Sequence, residues 1–305
     1  MKKLFSIDSK QSAVLGSILC TALWGTAFPL IKLGYARFGI AQSDIGSKLL
    51  FAGYRFTLAG IIVFLFGLIF YRKAALPDKS GILPIALLGI VQTGMQYLFA
   101  YIGVGYTTAA NTSILTGTAS LFSVALAAIF FKNDKMTALK TAGCVVGLIG
   151  IVFVNIGDFS LDPMYFFGDI LVLFSALSGA FGNIITKKIS AGRDSVTVTA
   201  WQLFFGGVIL SAAGFILGGG INPINLSGMI ILLWLSTVSA ISFLLWTALL
   251  RHHPVSKITI FTMLVPIFGT FWSWILLGES VFNIQSIISL ALIVLGIALV
   301  NKVKE

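Results

Sequence analysis

Residues 254–301 read PVSKITIFTMLVPIFGTFWSWILLGESVFNIQSIISLALIVLGIALVN, and residues 108–155, TAANTSILTGTASLFSVALAAIFFKNDKMTALKTAGCVVGLIGIVFVN, lie over them without a gap at an offset of 146. Ile114 meets Ile260, Thr116 meets Thr262, Phe122 meets Phe268 and Ile129 meets Ile275. Gly150-Ile151 meets Gly296-Ile297, and Val154-Asn155 meets Val300-Asn301. The identities are few, but they run through two apolar stretches and the polar loop between them. Working outward, an offset near 147 sets Tyr54-Arg55 on Trp201-Gln202 and Ala59-Gly60 on Gly206-Gly207. An offset near 154 sets Ala22-Leu23-Trp24-Gly25 on Ala176-Leu177-Ser178-Gly179.

The chain that carries this duplication has 305 residues, 58% of them hydrophobic and 10% charged, with a mean hydropathy of +1.02. A soluble globule is about 45–50% apolar and about 25% charged, so lipid is the solvent here. A bilayer core of about 30 Å takes about 20 apolar residues per helix. Helices are expected at 12–36, 47–71, 82–105, 108–131, 136–155, 168–190, 196–218, 226–250, 254–277 and 284–302. The apolar run after MKKLFSIDSK is too long for a signal-peptide core and is read as a retained span. Helices 1–5 then correspond to helices 6–10. Five is odd, so the second copy enters the membrane from the opposite face, the inverted-repeat plan of secondary transporters. The two repeats are expected at 1–155 and 156–305.

Charge supports the count. With the N-terminus in the cytoplasm, sixteen Lys and Arg fall in cytoplasmic segments and only Arg37 and Lys48 on the other side, a positive-inside bias. This places both termini in the cytoplasm, and the family resemblance described below implies the inner or plasma membrane. The net charge of +10 comes with no basic run or nucleic-acid motif, so no nucleic-acid partner is expected. Cys20 and Cys144 form no CxxC, and there is no P-loop and no metal-ligand cluster, so no cofactor, metal or ATP motor is expected.

Several stretches resemble one family in order along the chain: WGTAFPLIK (24–32), GYRFTLAGII (53–62), GYTTAANTSILTGTASLFSVALAAIFF (105–131), AWQLFFGGVIL (200–210) and the 254–300 segment. Together they are similar to the EamA-type, ten-helix branch of the drug/metabolite transporter superfamily. That resemblance implies an all-α polytopic carrier of small metabolites such as amino acids, sugars, nucleotide-related compounds or drugs. It also implies a central cavity lined by helices 1, 3, 4, 6, 8 and 9. The first copy departs from the family pattern, with Ser120 and Lys132-Asn133 where the second copy keeps Pro266 and Glu279.

Candidate site residues come from polar and aromatic groups inside the spans. Lys32 and Arg55 are intramembrane cations, and each carries two readings: a patch for an anionic substrate, or snorkelling and packing. Gln92, Gln96 and Tyr97 share a face at i, i+4 and i+5, and Tyr101 follows one turn on. With Trp24, Phe28, Asn111, Asn183 and Trp246 they are the expected lining of a mostly apolar pocket. Gly25, Pro29 and Pro266 weaken their helices and are hinge candidates. Gly143-x-x-x-Gly147 is a packing seat, more simply for a helix of the same chain than for a dimer partner. The function expected is a secondary transporter of small organic metabolites, amino acids or related compounds, by export or exchange through alternating access. A passive channel stays open as an alternative, as does a membrane enzyme acting on lipid-linked substrates, although no acidic or His cluster supports the latter. Lipid and a small-molecule substrate are the expected partners, with a monomer preferred.

Overall fold

The computed structural model describes residues 7–71, 76–107, 109–154, 161–221, 226–278 and 284–302. Among these residues the secondary structure is helical, with no strand. Ten helical runs follow the ten apolar stretches: α1 Lys10–Phe38, α2 Ile45–Tyr71, α3 Lys79–Val104, α4 Ala109–Phe130, α5 Ala138–Val154, α6 Phe166–Ser190, α7 Ser195–Ile216, α8 Leu226–His252, α9 Val255–Leu277 and α10 Ile284–Lys302. Of these, α1, α2, α3, α6, α7, α8 and α9 are long and apolar enough to cross a membrane, while α4, α5 and α10 contribute shorter apolar helices. The chain is therefore a multi-pass membrane protein. The expected Lys2, Lys3, Arg72, Lys73, Asp158, Glu279 and Lys304 lie outside the described residues.

The helix ends follow local chemistry. The Ser9 side chain accepts from the Ser12 amide at the start of α1, and Asp194 accepts from the Val196 and Thr197 amides at the start of α7. Gly39 and Gly278 adopt left-handed backbone, with φ of 66° and 69°, and close α1 and α9. Two helices depart from regular α geometry. In α3 the segment Gly89–Met95 is a π-helix, and in α9 the segment Ile260–Leu264 is 3-10. The second departure is what Pro266 dictates, since it has no N–H to give the preceding turn. Pro29, by contrast, is buried within α1, which runs on past it.

Packing pairs α2 with α7, α5 with α10, α1 with both α8 and α9, α6 with both α3 and α4, α2 with α8, and α3 with α7. The α2–α7 seam is made by glycine. Gly46, Gly53 and Gly60 recur every seven residues on α2, and Gly207 and Gly214 do so on α7. A Cβ on Gly53 would stand 2.3 Å from Ser211 Oγ, and one on Gly207 would stand 2.4 Å from the Thr57 nitrogen. Leu49, Phe56, Val63, Leu203, Leu210 and Phe243 fill the core beside this seam. In α5, the Gly143 of the expected packing seat receives α10: a Cβ there would meet Gly296 O at 2.6 Å. The seat is thus filled from within the chain.

Lys140, one of the sixteen cations read as lying in cytoplasmic segments, is 2% exposed and paired with Asp134, itself 3% exposed. Asp134 also accepts from the Ser256 amide at 2.9 Å and from the Ser256 hydroxyl, tying the α4–α5 loop to the first turn of α9. Asp134 lies six residues from Lys140, whereas the Ser256 that also bonds it lies 122 residues from Asp134.

The seam predicts a stability effect. Gly207→Val overpacks a backbone contact and is expected to cost about 1–3 kcal/mol or more, read as a lower melting temperature in detergent. Gly192→Ala, where nothing lies within 4 Å, should melt like the parent. Equal melting of Gly207→Val and the parent would contradict the close-packed seam.

Candidate functional site

The π-segment of α3 presses Gln92 against α6. A Cβ on Gly182 would stand 2.6 Å from Gln92 Cβ, so α3 and α6 touch closely there. Ser178 of α6 donates to Val91 O at 2.8 Å, giving a partner to a carbonyl in the widened turn. Around Gln92 a buried polar network links four helices. Thr186 Oγ1 donates to Gln92 Oε1 at 2.9 Å, and Gln92 Nε2 donates to Asn183 Oδ1 at 3.5 Å. The Trp246 indole donates to the same Asn183 oxygen at 3.0 Å, and Asn183 Nδ2 donates to Ser123 Oγ at 3.2 Å. Gln92, Asn183 and Trp246, expected separately, are thus one hydrogen-bonded unit.

From Trp246 an aromatic row crosses the interior. Trp24 lies 4.9 Å from Trp246 and 5.5 Å from Phe243, centroid to centroid. Phe243 lies 6.2 Å from Phe56, Phe56 lies 4.5 Å from Tyr97, and Tyr97 lies 6.4 Å from Tyr101. The Trp24 Nε1 is buried and has no hydrogen-bond partner among the described residues. Gln96 is half-buried against Gly179, where a Cβ would stand 2.9 Å from Gln96 Oε1. Gln92 and Gln96 therefore share the α6-facing side of α3, while Tyr97 turns to α2.

Beside Phe56, within the row, stands Arg55. It is 2% exposed; its Nε donates to Ser239 Oγ at 2.8 Å, and the guanidinium carbon sits 5.0 Å from the Phe56 ring centroid. The two cations read from sequence as intramembrane have different surroundings: Arg55 is interior, whereas Lys32 is exposed on α1.

Four further residues sit elsewhere. Phe28 is 55% exposed, with its ring over Gly269. Asn111 is buried at the start of α4, and its Nδ2 donates to both carboxylate oxygens of Asp169 at 3.1 Å; the Thr107 hydroxyl also donates there. This cluster joins α4 to the first turn of α6, away from the aromatic row. Gly25 marks the closest approach of α1 to α9, where a Cβ would stand 2.5 Å from Phe268 Cβ. Its missing side chain serves this contact. Pro266 sits in the first turn of the α-helical part of α9.

Phe56, Ser123 and Ser239 adjoin the candidate site but were not among the lining residues expected from sequence. A Phe or Ser inside an apolar span carries no mark until its neighbours are known. The repeat offset would have found Ser239, because it pairs that residue with Thr93. Thr93 Oγ1 donates to Gln202 Oε1 at 3.2 Å, and Gln202 Nε2 is buried without a partner among the described residues.

The comparisons with known proteins fit this arrangement. The pattern of the EamA-like transporter family matches residues 11–156 and again residues 166–302. An uncharacterized transporter, YoaV of Bacillus subtilis (strain 168), is 29% identical over 93% of this chain and 94% of its own. The uncharacterized inner membrane transporter YedA of Escherichia coli (strain K12) is 26% identical over 92% and 87%. The chloroplastic WAT1-related protein At3g02690 of Arabidopsis thaliana is 24% identical over 91% and 66%. A solved crystal structure superposes with a TM-score of 0.79 over 96% of this chain and 98% of that one, at 20% identity, a likeness of fold.

Asn183 is the node of the network. Asn183→Ala is expected to strand the Trp246 indole and the Gln92 amide, at about 1–3 kcal/mol. In a double-mutant cycle with Gln92→Leu the two losses should fall short of their sum, as for groups in one network. Additive losses in thermal unfolding would show that the network is not coupled.

Proposed function

This chain belongs to the EamA-like transporter family, in the drug/metabolite transporter superfamily, and on that premise we propose that it is a ten-span secondary carrier. In this reading it moves small organic metabolites, amino acids or related compounds, across the cytoplasmic membrane by alternating access, as export or exchange. The observation that carries the reading is the exchange symmetry of the packing. Swapping α1–α5 for α6–α10 turns the α1·α9 pair into α6·α4, α1·α8 into α6·α3 and α2·α8 into α7·α3. The α2·α7 and α5·α10 pairs map onto themselves. Side chains follow the same rule, since Arg55–Ser239 and Thr93–Gln202 are equivalent contacts at offsets of 147 and 146. Two inverted halves, 1–155 and 156–305, account for this pattern. A site between such halves is exposed to either side by rocking one against the other.

The substrate site in this reading is the space bordered by Trp24, Gln96, Tyr97 and Tyr101. Each of these side chains is only partly buried, and the Gln96 amide and Trp24 indole are not committed to partners among the described residues. The network at Gln92 and Asn183 forms its floor. The carrier works as a monomer, without cofactor or ATP, with both termini in the cytoplasm.

Proteoliposomes holding the purified protein should show saturable, counterflow-accelerated uptake of at least one solute from a metabolite panel. Gln96→Ala should lower the initial rate at least fivefold, and Ile216→Ala, at an 84%-exposed position, should leave it unchanged. A panel with no saturable flux, or currents that never saturate, would remove the carrier reading. Topology has its own test, because both natural cysteines are buried. In intact cells an impermeant thiol reagent should label Ala36→Cys and spare Gly192→Cys. The reverse pattern would place the N-terminus outside.

A further inference from the structure

Arg55 is a buried cation with no acidic partner among the described residues. Asp134 pairs with Lys140, Asp78 with Arg193 and Asp8 with His252, while Asp44, Asp162, Asp169 and Asp194 accept from Ser47, Met164, Asn111 and Val196. Arg55 gives its Nε to Ser239 and its face to Phe56, and its two terminal nitrogens make no hydrogen bond to any described residue. An unpaired interior charge is costly, so its presence calls for a reason.

Helix packing does not supply the reason. The equivalent position in the second half is Gln202, which meets the α3 residue Thr93 as Arg55 meets the α8 residue Ser239. A neutral amide therefore fills the equivalent place between the equivalent pair of helices. The charge is an addition made in one half only.

Its surroundings are those of a ligand site. Tyr97 and Tyr101, both partly buried, lie within electrostatic reach of the guanidinium, as does Tyr35. The Tyr35 hydroxyl is buried and makes no hydrogen bond of ordinary geometry, although the Tyr101 hydroxyl lies beside it. Phenolic O–H groups, like the guanidinium fork, donate to oxyanions. Beyond them runs the apolar row of Phe56, Phe243, Trp24 and Trp246.

We infer that Arg55, with the Tyr97 and Tyr101 hydroxyls, binds the carboxylate of the transported molecule, whose apolar body lies along the aromatic row. The inference rests on the carrier reading above and gives it a substrate class: small carboxylic acids with an apolar or aromatic body. One guanidinium neutralises a carboxylate. A phosphate monoester carries about −1.5 to −2 at pH 7 and would call for a second cation. The planar carboxylate also matches the two parallel N–H groups of the fork, a match that a lysine ammonium does not provide.

The test uses the purified full-length protein and three probes of one shape: sodium benzoate, benzamide and phenyl phosphate. Benzoate should raise the melting temperature saturably, benzamide should not, and phenyl phosphate should bind at least tenfold more weakly than benzoate. Arg55→Gln installs the residue that its counterpart already uses, so the variant should fold, and it should lose the benzoate shift. If that variant does not fold, Arg55→Lys decides, with benzoate affinity falling at least tenfold. No benzoate shift, equal shifts with benzamide, tighter phenyl phosphate, or benzoate binding that survives the Arg55 substitution would each overturn the inference. The two readings fail separately. Saturable proteoliposome flux confined to uncharged solutes removes the carboxylate site and leaves the carrier. Arg55-dependent benzoate binding without flux of any solute does the opposite.

Discussion

A peptide group left bare in hydrocarbon costs several kcal/mol, and that cost orders the rest of this molecule. It confines the spans to helices and decides where a helix is allowed to deviate. The π-segment of α3 is tolerated where Ser178 supplies a donor to Val91 O. The 3-10 turn of α9 sits just before Pro266. The same cost absorbs most of the hydroxyl groups. Thr21 donates to Ser17 O, Thr26 to Leu23 O, Ser236 to Leu232 O and Ser242 to Val238 O, all within their own helices. Polar richness inside a span is thus mostly backbone upkeep. Groups not so occupied among the described residues stand out against it, among them the Trp24 indole, the Tyr35 hydroxyl, the Gln96 amide, the Gln202 Nε2 and the terminal nitrogens of Arg55.

The outline of the fold was legible in the sequence, and the reason is physical. An apolar run of span length bounded by Gly, Pro, Asn and charged residues has one structure available to it in lipid, so helix bounds came within three residues of those observed. The break before Pro266 was legible for the same local reason. The site was legible only in pieces. Gln92, Asn183 and Trp246 stand out as polar or bulky groups in apolar helices, but their union depends on partners 63 and 91 residues apart. The π-segment has no local signature. Asn111 looked like a lining residue because an amide is visible in sequence, while the Asp169 carboxylate that holds it lies 58 residues on. The environment of such a residue is set by a distant segment.

Gly25 illustrates how a residue type gains meaning from its contact. In sequence it weakens a helix. In the fold it lets α1 lie against the backbone of Phe268 and Gly269. α1 also meets α8 along the aromatic row, so Trp24 is held between a tight crossing on one side and Trp246 on the other. The geometry of the row depends on that crossing as much as on the rings themselves.

The α2–α7 seam has a consequence for how the protein is made. Its two helices belong to different halves, and about 120 residues separate the end of α2 at Tyr71 from the start of α7 at Ser195. At roughly 5–20 residues per second, α2 waits on the order of 10 s after synthesis before its partner exists. During that interval its glycine face, too narrow to be covered well by lipid chains, is open to any other small-residue helix in the membrane. The α5 face that later receives Gly296 waits similarly. Insertion of the first half is therefore an incomplete folding event, and the membrane insertion machinery has to hold five helices whose proper neighbours are still unmade.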